Sequence, residues 1–214
     1  MATDPSPPAQ QLRADAIRNR ESVLTAATRV FAASDAEPSM REIARLAGVG
    51  VATLYRHFPT REALVDAVYQ DQVARLTTGA RDLLQTHPPV RALRLWMDLF
   101  ADWIATKHGM TNTLLAMIDT GEISLAHSRN EILSAIGTLV DAGAASGEIR
   151  ADTSTEDVGA ALLGLLAVSG ERGHHAQAQR LLDLLMDGLK PQHAPVAPAI
   201  SDGTAKAVRE QDVR

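Results

Sequence analysis

The densest chemistry in the chain lies between Ser39 and Arg61, where Arg41, Arg45, Thr53, Tyr55, Arg56, His57 and Arg61 stand against a single acid, Glu42. These side chains carry positive charge or offer hydrogen bonds, and the stretch has no nucleophile paired with a base. Such a set suits a polyanion: cations and hydroxyls for phosphate oxygens, arginine forks for base edges. The chain as a whole is acidic, with a formal net charge of −5. The excess of arginine is therefore a property of one surface and not of the composition.

Two short helices must hold these groups. Met40, Ile43, Ala44 and Ala47 recur at i, i+3, i+4 and i+7, which makes one apolar stripe and leaves Arg41, Glu42 and Arg45 pointing elsewhere. Ser39 can cap the first turn by accepting a backbone N–H, and Gly48 follows the last turn, where left-handed backbone costs a glycine nothing. Beyond it Val51, Leu54 and Phe58 resume the helical period, which predicts them inward, with Ala52, Thr53, Arg56 and His57 outward and Tyr55 at the boundary. That outward face is small and polar, as a helix entering a major groove about 12 Å wide requires. The stretch reads as a helix-turn-helix, and so as a DNA-binding unit.

At these residues the chain resembles the tetracycline-repressor (TetR) family of bacterial transcriptional regulators. Ser39, Ile43-Ala44, Ala47-Gly48-Val49, Thr53, Tyr55, His57-Phe58 and Arg61 fill the family's pattern. Gly50 stands where the family often has a capping serine, and Arg61 where lysine is commoner; glycine still caps, and arginine keeps the charge as a planar fork. The resemblance implies that Arg41 reaches a base edge or nearby phosphate, that Thr53 and Tyr55 contact phosphates and thymine methyls, and that His57 and Arg61 hold phosphates. Tyr55 has a second option, packing its ring beneath Phe31 or Phe58. Val51 and Ala52 fall near base edges but offer only apolar contact, so base preference rests on Arg41 and Arg56. Ser39 acts as the cap, with a phosphate contact as its second role.

The remaining segments also read as helices, about nine in total, which predicts an all-α fold with no strand pattern. Residues 1–12 and 191–214 are polar, proline-containing and alanine-rich, and are expected to be disordered arms flanking a DNA-binding domain at 13–61 and a helical effector-binding and dimerisation domain at 62–190. Within the first domain Leu24, Ala27, Thr28 and Phe31 form the inward stripe of an opening helix. Thr60 caps a long helix through Leu64, Val68, Gln72 and Leu76 that joins the two domains. Chain length and a hydrophobic content of 45% allow a substantial core. No apolar run reaches the roughly 18 residues of a membrane span, and the N-terminus is polar, so a cytoplasmic protein without membrane contact is expected.

Trp96, Phe100 and Trp103, both tryptophans and one of the three phenylalanines, lie with Met97 on one helix, followed by Met110, Thr113, Met117 and Ile118. By residue type alone they make either a packed core or a ligand pocket. The family resemblance favours a pocket for an unknown small-molecule effector, with His108, Asn112, Asp119 and Thr120 as further polar candidates. The last helices carry more apolar surface than one inward stripe uses; Ala161, Leu165, Leu181 and Leu185 are expected at a homodimer interface, and two-fold symmetry predicts a palindromic operator.

Enzymatic chemistry finds little support. The chain has no cysteine, no nucleophile elbow and no phosphate-binding loop, and Gly173-His174-His175 places two adjacent histidines about 100° apart on a helix with no third metal ligand nearby. No metal and no cofactor is expected. The leading expectation is a ligand-responsive repressor; the alternative is an all-helical small-molecule-binding protein or enzyme without DNA function.

Overall fold

Helix boundaries fall where capping side chains permit them. The computed structural model describes residues 9–33, 37–169 and 175–191. Ser39 Oγ accepts from Glu42 N at 3.2 Å and opens α2 (Met40–Leu46). Gly48 adopts φ +69°, and the bonds Val49 N to Ala44 O and Gly48 N to Arg45 O close the helix as a Schellman turn before α3 (Val51–His57). Thr60 Oγ1 accepts from Ala63 N at 3.1 Å and starts α4 (Arg61–Thr86). Proline occupies the first position of α5 (Pro89–His108), where its missing N–H is no loss.

The series is completed by α1 (Ala9–Ala33), α6 (Thr111–Asp119), α7 (Leu125–Ala145), α8 (Thr155–Ser169) and α9 (His175–Gly188). These nine helices are the only regular structure among the described residues, and none of them is long and apolar enough to cross a membrane. One boundary differs from the sequence reading. Helix α1 begins at Ala9, so part of the expected N-terminal arm is helical. The expected division after residue 61 falls within the first turn of the continuous α4. The rest of the arm, residues 1–8, and the C-terminal tail beyond Pro191 lie outside the described residues.

Helix α1 packs against α2, α3, α4 and α5, and Val23, Leu24, Ala27 and Phe31 form its buried stripe. Behind this unit α4, α5 and α7 form the centre of the second layer, with α8 and α9 closing one side. The aromatic stripe on α5 is buried there. Trp96 and Phe100 stack at 5.6 Å between centroids, Phe100 meets Trp103 at 5.3 Å, and Trp96 Nε1 donates to Leu76 O at 2.8 Å. The indole thus buries its apolar body and satisfies its single donor together.

The two layers touch at a glycine. A Cβ on Gly109, between α5 and α6, would stand 2.1 Å from the carbonyl oxygen of Phe31, and backbone cannot yield as a side chain does. Gly109→Ala is expected to lower stability by about 2–3 kcal/mol in urea melts; an unchanged midpoint would show that the α1–α5 contact is not rigid.

Candidate nucleic-acid interface and ligand cavity

The helix-turn-helix divides its side chains between a packed and a free side. Met40, Ile43, Ala44, Leu54 and Phe58 are buried, whereas Arg41, Arg45, Ala52, Tyr55 and Arg56 are exposed. Val51 corrects the sequence reading. It is 38% exposed and joins Ala52 on the open face, so only Leu54 and Phe58 anchor α3. In a helix of about two turns the inward stripe is two residues wide, and the first position after Gly50 lies outside it. Tyr55 is 45% exposed and does not take the option of packing beneath Phe31 or Phe58. Thr53 is half-buried, and its Oγ1 accepts from Arg56 Nη2 at 2.8 Å, which holds the guanidinium along the helix. His57 is half-buried beside Phe58, and Arg20 of α1 lies 5.4 Å over the Phe58 ring.

Arg61 is the second correction. Expected at a phosphate, it turns inward. Nη1 donates to Pro38 O at 2.6 Å, Nε donates to Thr113 Oγ1 at 3.1 Å, and Nη2 lies 3.3 Å from Glu37 Oε2. Glu37 Oε1 also accepts from Thr113 N at 3.1 Å, and the Arg61 guanidinium sits 5.8 Å over the Phe31 ring. One arginine therefore joins the entry to α2, the start of α4 and the first turn of α6. A planar fork presents its donors in fixed directions to separated acceptors, whereas a lysine offers its three from a single point.

The cavity is a third correction. Trp96, Met97 and Met110 are fully buried core, Met117 is buried, Ile118 packs against the core, and Thr113 is committed to Glu37 and Arg61. Of the expected lining only Phe100 and Trp103 face a cavity of about 280 Å³, which lies between α4, α5, α7 and α8. Its other walls are Tyr69, Lys107, Leu125, Ser128, Arg129, Ile132, Leu133, Ile136, Glu156, Gly159, Ala160 and Leu163. His108, Asn112, Asp119 and Thr120 are not among them. Four helices distant in sequence contribute, so no local pattern marks the lining; the hint available was Lys107, one turn beyond Trp103 on an apolar helix. Burial raises the Tyr69 hydroxyl above its ordinary pKa, opposed by a hydrogen bond from Ser128, and burial lowers the Lys107 ammonium.

On α8 and α9, the residues expected at a dimer interface are partly covered. Ala161, Leu165, Leu181 and Leu185 are half-buried, and Leu185 packs on the protein's own core. The freer apolar positions on α8 and α9 are Leu163, 50% exposed, and Leu184, 66% exposed, with Gly164 and Ala167 beside them. His174 lies outside the described residues, and no group of three potential metal ligands occurs among the described ones.

A three-helix unit with an exposed, arginine-bearing recognition helix, docked on a helical domain that holds a cavity, defines a two-domain helix-turn-helix regulator. Residues 23–68 match the family described as bacterial regulatory proteins, tetR family, and residues 88–191 match the C-terminal domain of transcriptional regulators similar to SbtR. The TetR transcriptional regulator SCO0520 of Streptomyces coelicolor is 46% identical, with 81% of this chain and 99% of that one covered and a TM-score of 0.75. A TetR transcription regulatory protein from Mycobacterium vanbaalenii is 36% identical over 84% of this chain and 99% of its own, with a TM-score of 0.66. The HTH-type transcriptional regulator SAR0097 of Staphylococcus aureus (strain MRSA252) is 34% identical over 83 residues, a stretch that spans 44% of that relative. The chain belongs to the TetR family of transcriptional regulators.

Breaking the Arg61 junction leaves Glu37 short of its cation. Arg61→Met is expected to cost about 1–3 kcal/mol in urea unfolding, and Arg61→Lys to recover only part of it. Full recovery by lysine would mean that charge alone, and not the fork, holds the junction.

Proposed function

We propose that the chain is a ligand-responsive repressor that binds a palindromic operator as a homodimer in the cytoplasm, with no catalytic role. The observation that carries this reading is the open face of α3: Val51, Ala52, Tyr55 and Arg56 are all exposed, and Arg41 and Arg45 flank them on α2. A recognition helix presents apolar and guanidinium contacts to base edges, and the flanking cations and hydroxyls take phosphates. Arg56 and Arg41 read bases; Thr53, Tyr55 and His57 hold the backbone with Ser39 as a secondary contact; Val51 and Ala52 meet thymine methyls. Arg61 is removed from the phosphate set by its inward bonds. Repression as the sign of control follows the habit of the family.

Pairing is supported by Leu184, exposed on α9, and by exposed Gly164 and Ala167 on the neighbouring α8, a surface that a second copy can cover; the exposed Leu163 also lines the cavity. Ala161, Leu165, Leu181 and Leu185 border that surface. Effector control is supported by the cavity, whose wall includes Tyr69 of α4, the helix that starts at the recognition unit.

DNA selected from a random pool provides the test. Arg56→Ala is expected to relax preference at one base position and to cost about 1–3 kcal/mol, and the slope of log affinity against log salt should stay steep in Arg61→Met. Equal binding to every sequence with a flat salt response would sink the regulator reading. Sedimentation should show dimers that Leu184→Glu converts to monomers with lost operator binding.

A further inference from the structure

Lys107 is the odd residue in the cavity wall. It sits on the last turn of α5, its Nζ 4.5 Å from the centroid of the Trp103 ring, and no carboxylate among the described residues pairs with it. Aromatic faces attract cations, yet an ammonium partly withdrawn from water and left without an anion is costly unless something supplies one. Burial lowers its proton affinity. Arg129 adds a second cation at the exposed rim of the same cavity, and the one acid there, Glu156, is exposed and accepts from Ser154 Oγ at 3.2 Å. The Trp103 Nε1 donor is buried with no acceptor. Beyond the hydroxyls of Tyr69 and Ser128, the remaining wall is mainly apolar, with Phe100, Ile132, Leu133 and Ile136.

We propose that the effector is an apolar monocarboxylic acid, its carboxylate bound at Lys107 and its hydrocarbon body held against Phe100, Trp103, Ile132 and Ile136. This rests on the reading of the cavity as the effector site and adds the chemical class. A cavity of about 280 Å³ is at the small end of the range for ligand sites, which suits an acid of medium chain length. Arg129 widens the positive field of the same cavity, which raises the local concentration of an anionic ligand.

Calorimetric titration of the intact protein, in the absence of DNA, with octanoate, 1-octanol and octylammonium tests the class. Octanoate is expected to bind roughly tenfold or more tighter than octanol, the size of effect that a charge-assisted contact gives over a neutral one, and octylammonium weakest. Lys107→Met should remove the preference while octanol binding persists, and Lys107→Arg should retain it; melting curves of both variants establish that they are folded. Octanol binding as tightly as octanoate, octylammonium binding more tightly, no binding of any of the three, or an undiminished preference in folded Lys107→Met would each overturn the proposal. Because these titrations contain no DNA, the ligand class stands or falls separately from operator binding, which a parallel mobility-shift assay reads.

Discussion

The contact on which the rest depends is the docking of α1 and the α1–α2 entry on the junction of α5 and α6. Gly109 lets the Phe31 carbonyl approach to a distance that no side chain allows, and Arg61 ties Pro38, Glu37 and Thr113 into one cluster beside it. Without this junction the recognition unit and the cavity domain would be joined chiefly through α4. With it, the orientation of α3 is set by helices that also line the cavity. Both components are short range and largely withdrawn from water, where geometry decides strength more than ionic strength does.

The helix-turn-helix was legible because its signals are local. Ser39 caps α2, Gly48 takes the left-handed turn and Thr60 caps α4, each within a few residues of the element it bounds. The stripe Met40, Ile43, Ala44 is buried as its period requires. Val51 escaped the same logic because periodicity fixes which residues share a face and not how wide the packed face is. In α3 neighbours cover Leu54 and Phe58 alone.

What sequence could not place are the features made by distant residues. Arg61 occupies a position where the family resemblance implies a phosphate contact, yet its partners include Thr113, 52 residues away, and Thr113 in turn holds Glu37 across 76 residues. The aromatics of α5 were ambiguous between core and pocket by type, and the structure divides them: Trp96 and Met97 are core, while Phe100 and Trp103 have one side on the cavity. The division is decided by where α7 and α8 close, which no window on α5 contains.

Helix α4 carries both Arg61, at its first residue, and Tyr69, in the cavity wall. Eight residues of unbroken helix span about 12 Å at 1.5 Å per residue. A helix that short is stiff, so the cavity wall at Tyr69 and the cluster at Arg61 keep a fixed spacing. The wall of the cavity and the junction that seats the recognition unit are two points on one beam, and neither end of it turns without the other.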